Sequence, residues 1–406
     1  MRLTYVSYGY DDRAEAPEAL LRRFGSLTGW AKAVAEAGAR DVAVTVVLRF
    51  WRDHVLRDGP VAYHFVADGP PRARADRQWA ARLVSAVVEL QPTVVHLHGC
   101  FPLPSRHLRL RLPRGTPLLV QDHGGVYPDA PIFTRWKSRA FHAFGLRAAD
   151  GFLFSARELA TPWLRAGVIG PKQTIYELME SSSTMTEAPP PRASERALPG
   201  RPALLWVARL DANKDPLTIL DGFERACVRL PDAALTMVFG ASQLLAEVQH
   251  RIADSATLRG RVHLLGKLEQ GELAALYQAA DLFVLGSHHE GGGFALIEAL
   301  SFGAVPVVSD IPSFRVLTDG GRIGALFPVG DAGALARALE RLGSSEPSQR
   351  SDERAARRAI VRAHFERELS WPALAHRALA IYREAETRRH EQIGSRRLQT
   401  KQAGAP

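Results

Sequence analysis

Two carboxylates and a run of three glycines stand together in HHEGGGFALIEALSFG, residues 288–303. Gly291, Gly292 and Gly293 leave the backbone bare where an apolar, helix-like stretch begins. Backbone N–H groups at such a junction can approach a phosphate, and a helix N-terminus adds a field that favours an anion. A carboxylate beside a phosphate is electrostatically awkward. Glu290 at the loop entrance and Glu298 in the helical run therefore suit hydroxyls better, as on a sugar or a ribose.

A second charged group follows another apolar run. In ALLWVARLDANK, Arg209 and Lys214 come just after a strand pattern. A guanidinium and an ammonium there can neutralise a diphosphate without a metal. The first half of the chain contributes histidines: His96 and His98 alternate in TVVHLHG, and His123 follows TPLLVQD. His-x-His is half of a metal site by type, yet no carboxylate or further histidine accompanies it at a recognisable spacing. His96 reads as a core residue, and His123, in the polar sequence QDHGG, as the functional candidate; His288 and His289 read as loop residues. Two basic stretches, 105–115 and 133–150, interleave Trp136, Phe141 and Phe144 with Arg135, Lys137, Arg139 and Arg147. That composition suits an anionic bilayer surface, and equally a sheet-covering helix with a solvated basic face.

Ligands of parallel α/β sheets bind beyond the C-terminal ends of the strands, so the elements before these residues matter. Residues 3–8, 41–50, 93–99, 116–124 and 151–156 read as strands, with a helix over 26–39. Their alternation with helical patterns predicts a parallel, doubly wound sheet. The rhythm breaks at SSSTMTEAPPPRASERALPGRP, residues 181–202, where three prolines mark a linker. A second series of strands is expected at 202–210, 234–240, 261–266, 281–287 and 304–310. The fold class is thus α/β, two Rossmann-like doubly wound domains facing a cleft. The expected boundaries are 1–184 for the first domain, 185–201 for the linker and 202–368 for the second. Residues 369–386 form a helix expected to pack back on the first domain, and 387–406 a basic, disordered tail.

Bulk composition narrows the class. At 406 residues the chain exceeds one compact core, and 46% hydrophobic with 23% charged residues is ordinary for a globular protein. A net charge of +9, nearly all arginine, points to an anionic partner: a phosphorylated substrate or an anionic membrane surface. Nucleic acid rests on charge alone and is set aside. Cys100 and Cys227 are far apart, without metal or disulfide spacing, which suits a reducing cytoplasm. No apolar run approaches a membrane span, so any membrane is expected to be met from its inner surface.

On these residues the chain resembles the retaining glycosyltransferases of the GT-B fold, family 4 type (glycosyl transferases group 1). The family motif EGFGLxxxEAxAxGxPVV corresponds to EGGGFALIEALSFGAVPVV, GRLxxxKG to ARLDANKD, and Y-x-x-A-D-x-F-V-x-P-S to YQAADLFVLGS. TPLLVQDHGG resembles the family's strand ending in a sugar-contacting histidine, and AADGFLFSA the strand after it. The likeness spans nearly the whole chain and is strongest over 202–330. It implies that Glu298 binds ribose hydroxyls and that Arg209 with Lys214 holds the diphosphate. Glu290 and the amides of Gly291, Gly292, Gly293, Phe294 and Ala295 would hold the donor sugar or its phosphates, with His123 on the sugar. It further implies hexosyl transfer with retention and without a metal. There is then no cofactor: a UDP- or GDP-linked sugar is the substrate, and a glycan, lipid or small molecule the acceptor.

Two departures fall on the acceptor side. The family's glycine-rich loop after the first strand is replaced by YGYDDRAEAPEALLRRFGSLTG, where Gly25, Ser26 and Gly29 are the candidates for its work. The usual Asn-Gly-x-Asp after the last strand of the first domain is replaced by YELMESSS, residues 176–183. A sugar-nucleotide epimerase of the same fold is the alternative reading. A dinucleotide-dependent oxidoreductase is disfavoured because neither first strand is followed by G-x-G-x-x-G.

Overall fold

Leucine- and valine-rich runs bounded by Gly, Pro and Asp become strands buried on both faces, as parallel sheets require. The computed structural model describes residues 1–9, 11, 13–67, 81–124, 136–182, 198–344 and 350–403. The chain divides into two units, Met1–Ser183 with Trp371–Pro406, and Thr184–Ser370. Most of the expected linker, 185–197, lies outside the described residues.

The first unit holds an eight-stranded sheet of order β3-β4-β2-β1-β5-β6-β7-β8. Its strands are β1 (Arg2–Ser7), β2 (Ala43–Phe50), β3 (His54–Asp58), β4 (Val61–Ala67), β5 (Val94–His98), β6 (Leu118–Gln121), β7 (Gly151–Phe154) and β8 (Thr174–Glu177). Every pairing is parallel except β3 with β4. That exception corrects the expectation of a purely parallel sheet. HVLRD at β3 is a mostly exposed edge with charges among its apolar residues, so it never forms the apolar run by which the other strands announce themselves. Val6, Val47, Leu97, Val120, Phe152 and Trp163 share one core beneath the sheet.

Three helices of this unit matter below: α1 (Gly25–Gly38), α2 (Pro102–Arg111) and α3 (Trp136–Leu146). Gly25, Ser26 and Gly29 all lie within α1 and form no phosphate loop. A Cβ on Gly29 would come within 2.9 Å of the Trp371 ring, so that glycine serves helix packing. The partner is the final helix, which spans Trp371–Ala403 and packs on α1. At 33 residues it is about 50 Å long. Residues 387–403, expected to be disordered, are helical: Arg388 pairs with Glu384 one turn back at 2.7 Å. Arg389 binds Asp150 at 2.6 Å and the Arg114 carbonyl at 2.7 Å. Helix-forming residues and these anchors outweigh the polar composition.

The second unit holds a six-stranded, all-parallel sheet, β11-β10-β9-β12-β13-β14. The strands are β9 (Ala203–Val207), β10 (Ala234–Val238), β11 (Val262–Gly266), β12 (Leu282–Leu285), β13 (Val305–Ser309) and β14 (Ala325–Phe327). The chain builds outward from β9 to β11, then returns to lay β12 on the other side of β9. The crevice between the C-terminal ends of β9 and β12 is therefore a switch point, where open α/β sheets bind ligands. A fourth helix, α4 (Phe294–Ser301), leaves from β12 at this end.

Candidate active site

At the switch point the loops after β9 and β12 are sewn together. The backbone N–H of His288 donates to the Asn213 carbonyl at 2.8 Å. The Asn213 amide donates to the His289 carbonyl at 3.0 Å and accepts from the His289 N–H at 3.1 Å. Asp211 accepts from the Lys214 N–H at 3.1 Å and closes the turn that presents the lysine. The Lys214 ammonium then meets the Glu290 carboxylate, which also accepts from the Ser287 hydroxyl at 2.8 Å. Lys214 and Glu290, assigned to different ligand groups from sequence, thus form an ion pair. Arg209 is held loosely by Asp211 at 3.1 Å, and 62% of its side chain is exposed.

Gly293 precedes α4 with φ 66°, and a Cβ there would lie 3.0 Å from Phe314 and 3.1 Å from Leu317. Backbone and packing both demand glycine, and the first amides of α4 are left facing outward. The start of α4 lines a pocket of about 360 Å³ that brings together Arg209, Lys214, Glu290, Gly293, Phe294 and Ala295. Its wall adds Lys267, just past β11, and the apolar side chains of Val238, Phe239, Leu268 and Leu273. Lys267 was not singled out from sequence, although like Arg209 it stands just past the C-terminal end of a strand. Gly291, Gly292 and Glu298 do not line this pocket. Glu298 lies in α4 and accepts from the Tyr277 hydroxyl at 3.0 Å. Burial, with the neighbouring Glu298 charge, pushes the Tyr277 phenol far above its ordinary value, so it stays a donor.

His123 belongs to the first unit, just past β6. Its Nδ1 lies 2.5 Å from Glu180 Oε1 and its Nε2 3.3 Å from His98 Nδ1, with the two rings stacked at 5.3 Å. His98 in turn stacks on His96 at 4.4 Å. His96 Nδ1 meets the Tyr382 hydroxyl at 2.8 Å, Tyr382 meets Tyr5 at 3.3 Å, and Trp30 donates to Tyr5 at 2.9 Å. Burial pushes His96 down to about 3 and His98 well below the usual imidazole range, so both rings are neutral. For His123 burial also disfavours the charge, but Glu180 outweighs it and the net displacement is upward. Burial raises Asp122 to about 6. Among the described residues no group of three His, Cys, Asp or Glu is arranged to hold a metal.

On the surface of the first unit, α2 packs against α3. Trp136 is 72% exposed, and Phe144 and Leu110 are exposed too. Arg106 lies over the Phe144 ring at 4.7 Å. Arg135 lies outside the described residues. No helix is long and apolar enough to cross a membrane among the described residues.

Comparison with known proteins meets this geometry from both ends. The profile of Glycosyltransferase Family 4 matches residues 29–175, and that of Glycosyl transferases group 1 matches residues 191–359. The chain belongs to the GT-B glycosyltransferases of family 4 type. Among its relatives is a GDP-mannose:cellobiosyl-diphosphopolyprenol alpha-mannosyltransferase of Xanthomonas campestris. It is 32% identical over 56% of this chain and 59% of that protein. Its namesake in Xanthomonas oryzae is 29% identical over 71% of this chain and 75% of that protein. The chain thus spans a little under two thirds of the first relative's length. Among solved structures, sucrose-phosphate synthase from Thermosynechococcus elongatus superposes with a TM-score of 0.63 at 19% identity, over 94% of this chain and 98% of that one. An alpha,alpha-trehalose-phosphate synthase from Burkholderia vietnamiensis gives 0.62 at 16%, over 94% and 98%. Both share the two-domain Rossmann-like fold.

Proposed function

We propose that the protein transfers a hexosyl group from a nucleoside-diphosphate sugar to an acceptor hydroxyl, in the synthesis of a glycolipid or polysaccharide, with retention and without a metal. The supporting observation is the pocket at the β9/β12 switch point, where Arg209, Lys214 and Lys267 converge on the amides before and within the first turn of α4. Three cations and a helix N-terminus answer a diphosphate, and Val238, Phe239, Leu268 and Leu273 offer an apolar wall to a base. The sugar–phosphate bond breaks as the acceptor oxygen bonds to the same carbon, and the acceptor's proton passes to the departing phosphate oxygen. The cations stabilise the charge that develops there. Glu290, drawn to Lys214, is the hydroxyl reader nearest the diphosphate; Glu298 takes the ribose and His123 a sugar hydroxyl.

The two Xanthomonas relatives make GDP-mannose the first donor to test and a lipid-linked glycan the first acceptor. Such an acceptor would place the protein at the inner face of the cytoplasmic membrane, and the exposed Trp136 and Phe144 beside basic side chains would be the contact. The experiment is a panel of UDP- and GDP-sugars read by thermal shift and slow donor hydrolysis, with and without chelator. Stabilisation by one nucleotide class and chelator-resistant hydrolysis are expected. No response to any donor, or hydrolysis restored only by a divalent metal, would overturn the reading.

A further inference from the structure

We propose that Glu180 is the positioning residue for His123: it anchors Nδ1, and so turns Nε2 into a charged hydrogen-bond donor for a sugar hydroxyl. This rests on the reading of His123 as a sugar contact. Glu180 stands in YELMESSS, the segment that replaces the family's Asn-Gly-x-Asp, and no role falls to it from the motif. The geometry supplies one. A carboxylate only accepts, so its contact at 2.5 Å requires the proton on His123 Nδ1. Glu180 is itself steadied by the Gln121 amide at 3.4 Å, and only 14% of its side chain is exposed. Among the described residues the opposite nitrogen meets only His98, a partner that a ligand hydroxyl can displace. Its distance to His98 Nδ1 is a long 3.3 Å, and 40% of the His123 side chain is exposed.

The neighbours allow the charge. His98 and His96, from β5, are held neutral by burial. Cys100, 4.0 Å from Asp122, keeps its proton because burial raises its thiol. Tyr382 on the final helix and Tyr5 on β1, beyond His96, are likewise protonated phenols. Among the described residues, the acidic groups facing His123 are Glu180 and Asp122. An imidazole whose charge is favoured by two neighbouring acids, and which is bonded to one of them, is a donor whose direction is fixed.

The test follows the His123 ring by histidine NMR titration of the full chain, assigned with His123→Gln. Glu180→Gln should move the His123 midpoint to lower pH, while Glu180→Asp should leave it near the wild-type position. The high-pH limb of kcat should move the same way, with kcat at pH 8 falling about tenfold or more and nucleoside-diphosphate affinity unchanged. Asp122→Asn separates the contribution of the second carboxylate. If Glu180→Gln lowers thermal stability yet leaves the midpoint and the limb in place, Glu180 is structural and the proposal fails. If the midpoint moves and the limb does not, the charge on His123 is not used in transfer. Unchanged nucleotide binding in either case shows that the donor site of the second unit stands regardless.

Discussion

The two units assemble their chemistry by different means. In the second, each charged side chain is placed by residues close to it in sequence or by one neighbouring loop. Asp211 holds the Lys214 turn, Asn213 ties the two loops, and Gly293 opens α4. The result is a partly open pocket of cations. In the first, His96 takes its hydroxyl partner from Tyr382, 286 residues away, and His123 takes its carboxylate from a residue 57 further on. There His96 and its tyrosine partners are enclosed, and burial helps decide which groups can carry charge. A site made of loops tolerates loss of a side chain without loss of fold. A site made of the core does not.

That contrast can be broken or sharpened by four measurements. Tyr382→Ala should cost about 3–5 kcal/mol, and hydrogen exchange should show the loss in peptides of the first unit, not in 203–309. Tyr382→Phe, which leaves His96 Nδ1 unpaired, should cost about 1–3 kcal/mol. Uniform loss of protection across both units would refute the division. Lys214→Ala should next lower donor turnover by about a hundredfold or more with an unchanged circular dichroism spectrum. Full turnover in both that variant and Arg209→Ala would remove the diphosphate from this pocket.

Gly293→Ala is milder. The left-handed φ costs an ordinary residue about 1–2 kcal/mol, and the Cβ pushes on Phe314. Nucleoside-diphosphate affinity by titration calorimetry should drop about tenfold for a cost near 1.4 kcal/mol, and an unchanged affinity would mean the first amides of α4 do not meet the ligand.

The last effect, read as a change of slope, is on stability against pH. His96 sits near 3 folded against an ordinary 6.5, so the unfolded chain binds the extra proton and stability falls as pH drops through that window. Asp122 sits near 6 against 3.8. There the folded chain binds the extra proton, so its contribution falls as pH rises from 3.8 to 6. The two slopes oppose one another. Asp122→Asn should therefore make acid destabilisation between pH 4 and 6 steeper than in the wild type, as read from urea melts.

The same difference explains what could be read in the residues alone. The pocket cluster of the second unit was legible because Gly293, Glu290, Arg209 and Lys214 are adjacent in sequence to strong strand patterns. Lys267 was missed for want of a glycine or acidic companion. In the first unit most apolar strands were legible, but β4 was not, nor were β3, with charges at its edge, and β8, four partly buried residues. Glu180 carries no periodic signal, and Tyr382 looks like any apolar position of an amphipathic helix. Gly29 resembled a phosphate-loop glycine until Trp371 appeared beside it.

The final helix also sets an order of manufacture. The first unit opens with β1 at Arg2 and closes with a helix that begins at Trp371, while the second unit lies wholly between them. On the ribosome, residues 184–370 emerge complete while the older sheet still lacks its cover. Trp30, Tyr5 and His96 must wait for Trp371 and Tyr382. A chain released early, after Ser370, would carry the pocket at the β9/β12 switch point and an unfinished histidine cluster.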